Sequence, residues 1–257
     1  MTFQARFVEI NSHSLYCEYF SGGNLPLLIL LHHGLGSSEA WRAQFECLRD
    51  GGFSVLAYDR WGYGRSDDRG RLDPPYFEED VRDLETLLSK ETKPRILIGH
   101  SDGANVALTY ASRHPEHLLG AVVVAPHIYF EPKMAEGIQG LWRAYQENQA
   151  FQKGLQRVHG GKAVFERWFQ SWTQLGADWD MRQTLSTIQC PVLVIQGSED
   201  EHATVQHAKD CAAALPNGQV QIVEGADHML PQKSSEIFNQ LLLQSIGEFQ
   251  RMSQHVQ

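Results

Sequence analysis

The chain is short of positive charge: its 257 residues carry 22 Lys and Arg against 31 Asp and Glu, a formal net charge of −9 with histidine neutral. Gripping nucleic acid or an anionic membrane takes clustered Lys and Arg, so neither partner is expected. Long apolar runs are missing too, with nothing near the ~18 uncharged residues of a membrane-crossing helix. The start, Met1-Thr2-Phe3-Gln4-Ala5-Arg6, lacks the apolar core and cleavage site of a secretory leader, and the expectation is a soluble, cytoplasmic protein. Cysteine is scarce: Cys17, Cys47, Cys190 and Cys211 form neither a CxxC pair nor a Cys/His group of zinc spacing. They are expected as reduced thiols, mostly in core positions, with no disulfide framework and no metal. No internal repeat and no low-complexity linker is present.

What is there reads as a folded domain. Apolar residues make up 42% and charged residues 21% of the chain, far from the composition that leaves chains disordered. Two strands, Phe3 to Ile10 and Leu15 to Phe20, flank the turn-forming Asn11-Ser12-His13-Ser14 and predict an antiparallel hairpin. Short continuous apolar runs follow: Leu27 to Leu31, Phe53 to Tyr58, Arg95 to Ile98, Ala121 to Val124 and Val192 to Ile195. Runs of this kind suit strands buried on both faces of a parallel sheet. Gln219 to Val223 alternates and adds a further strand. Helical spacing fills the gaps at Glu39 to Arg49, Phe77 to Ser89, Ala104 to Ser112, Val205 to Ala214 and Ser235 to Phe249. Alternating strands and helices predict a doubly wound α/β sheet, whose chemistry gathers at the carboxyl ends of the strands.

Pro126 to Ile188 breaks the alternation, offers no strand, and holds Trp142, Trp168, Trp172 and Trp179. Trp168 and Trp172 share a helix face, which suits either packing or a lid over the strand ends.

Gly99-His100-Ser101-Asp102-Gly103 stands directly between an apolar strand and a helical pattern. That context turns a weak Gly-x-Ser-x-Gly match into a nucleophile elbow, with Ser101 raised at the sheet edge. His100 points the other way along the strand and is expected to pack. A serine nucleophile needs a base and an orienting carboxylate, in the chain order Ser, acid, His for this kind of sheet. After Val192 to Ile195 come His202, His207, His228 and His255. His255 falls in the tail and His207 on a helix, where surface solvation accounts for it. His228, in Gly225-Ala226-Asp227-His228 just past a strand, is the expected base. Of Glu199, Asp200 and Glu201, Asp200 is best spaced for the acid, with the flanking glutamates as solvated loop charges; Glu131, after the Ala121 to Val124 strand, is the alternative.

Together these residues resemble the α/β-hydrolases, in particular the small esterase, C–C hydrolase and haloperoxidase-like group, over nearly the whole chain. His32-His33-Gly34-Leu35-Gly36 is similar to the family's His-Gly oxyanion loop, and Asp59-Arg60-Trp61-Gly62-Tyr63-Gly64-Arg65-Ser66 to its structural Asp-x-x-Gly-x-Gly-x-Ser turn. The resemblance implies an eight-stranded, mostly parallel sheet formed by residues 1–125 and 189–257, with a helical cap, 126–188, inserted after the sixth strand. It implies Ser101, Asp200 and His228 as catalytic triad and the backbone N–H groups of Leu35 and Asp102 as oxyanion donors. The Ser-Asp-Gly elbow resembles valacyclovir-hydrolase-like enzymes, in which the matching aspartate receives a substrate amine; the alternative for Asp102 is a charge complementing the helix dipole. His33, Trp142, Tyr145, Phe151, Trp168 and Trp172 are candidates for the pocket, or the aromatic residues form a packed cap core.

The expected activity is hydrolysis of a small-molecule carboxylic ester without cofactor, by a monomer or homodimer. The same triad also serves C–C bond cleavage, demethylation of a carrier-bound ester and acyl transfer to peroxide, and a ligand receptor without turnover is the reading from a different class.

Overall fold

Each apolar run becomes a strand in the computed structural model, which describes residues 3–23, 25–72 and 77–254. In chain order the elements are β1 (Gln4–Ile10), β2 (His13–Phe20), β3 (Leu27–Leu31), a 3-10 turn (Ser38–Trp41), α1 (Arg42–Asp50), β4 (Ser54–Tyr58), α2 (Phe77–Leu88), β5 (Arg95–His100), α3 (Asp102–Ala111) and β6 (Leu118–Val124). Then come α4 (Pro132–Glu147), α5 (Gln149–His159), α6 (Val164–Gln174), α7 (Arg182–Leu185), β7 (Val192–Gly197), α8 (Val205–Ala214), β8 (Gly218–Val223), α9 (Leu230–Lys233) and α10 (Ser235–Gln254). His255 lies outside the described residues.

The eight strands form one sheet in the order β1-β2-β4-β3-β5-β6-β7-β8; β2 runs antiparallel to both its neighbours, β1 and β4, and all other pairs are parallel. The hairpin turn is tighter than the four residues expected. Ile10 pairs with His13, and Asn11 and Ser12 both take positive φ, at 45° and 73°, the left-handed pair whose twist matches flanking strands.

The continuous apolar runs divide by parity. Leu27, Ile29 and Leu31 of β3 enter one hydrophobic layer, with α2, α3 and α8, while Leu28 and Leu30 enter the other, with α1 and α10. Burial on both faces is why alternation is absent from these strands. On the second face α10 comes so close that a Cβ on Gly120 of β6 would stand 2.6 Å from the Phe249 ring.

Several strands run past their apolar cores, since the ladder continues through Gly99 and His100 on Val123 and Val124, and through Gly197 on Val223. Between β6 and β7 stand four helices, α4 to α7, with only an isolated bridge between Tyr129 and Asp180. All four cysteines are free; Cys17 and Cys211 are buried in the core and Cys47 and Cys190 half-buried. Among the described residues no helix is long and apolar enough to cross a membrane.

The strand order reverses at β3, whose neighbours are β4 and β5. Crevices at such switch points, outside the carboxyl ends of the strands, are where ligands bind in open α/β sheets. The loop after β3 carries His33 to Leu35, and the turn after β5 carries Ser101.

Candidate active site

The turn after β5 leaves no room for side chains on either flank. A Cβ on Gly99 would lie 2.3 Å from the Gly103 carbonyl oxygen, and one on Gly103 only 2.1 Å from that of Leu31. Ser101 between them takes φ 54° and ψ −120°, a conformation that costs a non-glycine residue on the order of 1–3 kcal/mol and is kept where the surroundings enforce it. Its N–H donates to Val124 O at 2.8 Å, and its carbonyl accepts from Ala104 and Asn105 at 2.8 and 3.2 Å, so the strand turns straight into α3. Ser101 is 7% exposed and opens onto a cavity of about 310 Å³.

His228 and Asp200 sit on the loops after β8 and β7. The loops interlock: Glu199 N donates to Ala226 O at 2.9 Å, and a Cβ on Gly197 would meet that same oxygen at 2.1 Å. His228 Nδ1 lies 2.9 Å from Asp200 Oδ2, while Asp200 Oδ1 accepts from the N–H groups of His202 and Ala203 at 2.7 and 3.2 Å. Burial works to raise the Asp200 pKa, but the His228 ring and the His202 N–H outweigh it and hold the carboxyl well below its usual range. Being ionised, Asp200 keeps the proton of a neutral His228 on Nδ1 and leaves Nε2 as the acceptor. Burial also works to lower the His228 pKa; Asp200, then Glu201 and Asp102, reverse this and leave it raised. His228 and Ser101 line the same cavity.

His100 is buried, as expected, and also donates its Nε2–H to His228 O at 2.8 Å, bracing the backbone of that residue. His127, absent from the expected set, lines the cavity and stacks on His228 with ring centroids 5.8 Å apart.

Three sequence expectations about neighbouring charges are corrected. His207 is not on the surface: it is fully buried, and its Nε2 accepts from Ile128 N at 2.8 Å. Glu131 does not reach His228, because its carboxylate is taken by Thr204 N and Oγ1 at 2.8 and 3.0 Å and faces His207 Nδ1 at 3.3 Å. Glu199 is an exposed loop charge, but Glu201 borders the cavity and accepts the His228 N–H at 3.1 Å.

His33, Gly34 and Leu35 border the cavity opposite. Leu35 N–H points at His33 Nδ1 across 3.4 Å, at the outer limit of a hydrogen bond. Burial, then His228 and Arg60, lower the His33 pKa to about 3, so the ring is neutral. Behind the loop, His32 Nδ1 donates to His33 O at 2.8 Å and its Nε2 accepts from Arg60 N at 3.0 Å. The turn Asp59 to Ser66 is built on Asp59, which accepts from Ser38 N and Arg65 N, both at 2.7 Å.

Asp102 departs from the pocket expected for it. Its carboxylate is 1% exposed and does not border the cavity; Trp172 Nε1 donates to Oδ1 at 3.2 Å, and Arg60 Nη2 stands 3.6 Å from Oδ2. A buried anion needs such partners, and here the protein supplies them.

Trp168 and Trp172 line the cavity and Trp142 and Tyr145 do not, a second correction to the pocket. Trp142 stacks on Phe169 with centroids 4.5 Å apart and Tyr145 on Phe165 at 4.1 Å, so the α4 face carrying them packs on α6. Phe151 does border the cavity, joined by Met134, Ile138, Leu141, Leu155 and Met229, which no motif signalled.

Residues 29–241 match the model of the alpha/beta hydrolase family, and the chain belongs to that family. Mouse serine hydrolase BPHL is 25% identical over 244 residues, covering 91% of this chain and 84% of that protein. The bifunctional esterase/perhydrolase DCH of Acinetobacter calcoaceticus is 26% identical over 250 residues, covering 84% of this chain and 90% of that one. Among solved structures, an esterase from Exiguobacterium antarcticum superposes with a TM-score of 0.76 at 17% identity, covering 96% of this chain and 99% of the other. The family is thus shown by sequence and the fold by structure.

Proposed function

We propose that this enzyme is a serine hydrolase that cleaves carboxylic esters through an acyl-enzyme. The observation that carries the reading is the 2.9 Å contact between Asp200 and His228 beside a strained Ser101 on one shared cavity. In this scheme His228 Nε2 takes the Ser101 proton as Oγ attacks the carbonyl, and the oxyanion is met by the N–H groups of Leu35 and Asp102, each donor contributing about 3–4 kcal/mol to the transition state. His228 then protonates the leaving alcohol and activates water to release the acid, while Asp200 keeps the ring in one tautomer. Relatives with esterase and serine hydrolase in their names support the choice.

Residues 126–188 act as the cap over this cavity. Its walls, from Met134 and Ile138 to Trp168 and Trp172, are apolar, and about 310 Å³ is at the small end of ligand pockets. The proposed substrates are therefore compact esters with an apolar acyl or aryl group. Selection of a substrate amine by Asp102 is not part of the proposal, since Trp172 and Arg60 already occupy that carboxylate.

Rapid mixing with p-nitrophenyl butyrate tests the acyl-enzyme. A burst of p-nitrophenol close to one equivalent per active site, followed by slower steady turnover, is expected whenever deacylation limits the rate. Absence of both burst and turnover across acetate, butyrate and benzoate esters would defeat the proposal.

A further inference from the structure

The two residues proposed as oxyanion donors are each gripped by a side chain of the cap. His159, the last residue of α5, is fully buried between cap and core. Gly64 N–H donates to its Nδ1 at 2.9 Å, so that nitrogen carries no proton; Nε2 does, and it donates to Leu35 O at 3.2 Å. Burial first, with Lys162 and Arg167, lowers the His159 pKa to about 4, so this tautomer persists at neutral pH. From α6, Trp172 donates its Nε1–H to Asp102 Oδ1 at 3.2 Å.

Two further contacts tie these grips together. A Cβ on Gly34 would lie 2.2 Å from Trp168 Nε1, so a second indole of α6 rests directly on the backbone of the oxyanion loop. Arg60 Nη2 stands 3.6 Å from Asp102 Oδ2 and 3.4 Å from His33 O, joining the elbow to that loop from below. The Leu35 N–H lies in the peptide before its Cα and the carbonyl in the peptide after it, so His159 anchors the far side of the residue while Trp168, against Gly34, bears on the side that carries the N–H. Holding the Asp102 carboxylate from Trp172 and Arg60 anchors the first residue of α3 to the cap and to the turn after β4.

We propose that His159 and Trp172 are positioning residues that hold the Leu35 and Asp102 peptides ready for the oxyanion, so that the oxyanion hole is complete only while the cap is seated on the core. This rests on the ester-hydrolase reading above. Preorganised donors act because they need not move as charge develops, and a misplacement of about 1 Å can cost roughly 10²-fold in rate. The cap thereby acts on kcat as well as shaping the pocket.

The test compares wild type with Trp172→Phe, which keeps the ring and removes the donor, and with His159→Asn and His159→Gln. An asparagine amide can replace Nδ1 toward Gly64 but falls short of Leu35, whereas glutamine reaches the place of Nε2. For each protein kcat and KM on p-nitrophenyl butyrate are measured with the Ki of phenylboronic acid, a tetrahedral mimic, per active site titrated with fluorophosphonate. The expectation for Trp172→Phe and His159→Asn is a kcat loss of about 10- to 100-fold with a parallel rise in boronate Ki and KM within about threefold; His159→Gln recovers most of the loss. Values of kcat and boronate Ki within about threefold of wild type, losses confined to KM, or equal defects in His159→Asn and His159→Gln would overturn the proposal while leaving the hydrolase reading intact. A wild type that neither turns over ester nor takes the fluorophosphonate would remove the hydrolase reading, and this inference with it.

Discussion

Asp200 Oδ2 lies 2.9 Å from His228 Nδ1, and the other oxygen of that carboxylate takes two backbone N–H groups of its own loop. One side chain thus orients the imidazole and fixes the turn from which it does so. Asp200→Asn keeps the shape but presents an amide N–H or a weaker acceptor to the ring. Its kcat on p-nitrophenyl butyrate should fall by about 10⁴-fold, the loss typical of a triad that has lost its carboxylate. Glu199→Gln and Glu131→Gln, whose side chains face solvent and Thr204, should stay within about threefold of wild type, the range usual for changes away from the reacting groups. A Glu131→Gln defect as deep as that of Asp200→Asn would move the acid to Glu131.

The pH profile follows from the direction of the His228 shift. A general base works in its neutral form, and this one has its pKa raised from 6.5 because Asp200, Glu201 and Asp102 together outweigh burial. In wild type, kcat/KM should therefore fall as pH drops, with an inflection above 6.5. Asp200→Asn removes the main raising influence and should move the inflection of its residual activity downward. An acid limb lying below 6.5 in wild type would contradict the ion-pair account.

Acid should also destabilise the fold. His32, His33, His100, His127, His159, His202 and His207 all have pKa values lowered from 6.5, in every case with burial as the largest cause. The unfolded chain takes up protons near 6.5 and the native chain does not until lower pH, so these groups contribute stability above 6.5 that is lost on acidification toward the value of about 4 given by His159 and His202. His228, with its raised pKa, works the other way: its contribution is present below 6.5 and is lost as pH rises through its folded value. With seven groups against one, Tm should fall steadily between about pH 6.5 and 4. A Tm that holds or rises over that interval would contradict this balance.

The pocket assignment separates neighbouring residues of one helix. Leu141 borders the cavity and Trp142 packs on Phe169. Leu141→Ala should shift the preferred acyl chain of p-nitrophenyl esters to longer lengths, with little change for acetate. Trp142→Ala should lower Tm, as loss of a large packed aromatic does at about 3–5 kcal/mol when fully buried and less here, without moving the chain-length optimum. The opposite pattern would place Trp142 in the pocket.

How far the sequence discloses this site depends on whether a signal is local. The strands are legible because burial on both faces produces apolar runs such as Leu27 to Leu31, and the elbow because its Gly-x-Ser-x-Gly pattern stands between a strand and a helix. Only Gly99 is required by backbone of the turn itself; Gly103 is required by Leu31 and His32 of the neighbouring strand and loop. Asp200 and His228 follow from loop positions at strand ends. The partners of buried charges are not local. Glu131 and Thr204, or Asp102 and Trp172, meet only after folding, and a glutamate or aspartate looks the same in sequence whether it is spent on a backbone N–H or free to meet a substrate. Aromatic spacing on a helix marks an apolar face but not which ring reaches the cavity, so Trp168 and Trp142 could not be told apart. His159 stands in a stretch without a motif, and its role depends on Gly64 and Leu35, both far away in the chain.

The central claim is that Ser101 is the nucleophile, and labelling with a fluorophosphonate followed by peptide mass spectrometry tests it most directly. The account predicts one phosphonyl adduct per chain, on Ser101, with no adduct and no p-nitrophenyl ester turnover in Ser101→Ala. An adduct on another residue, or labelling and turnover that persist in Ser101→Ala, would contradict it.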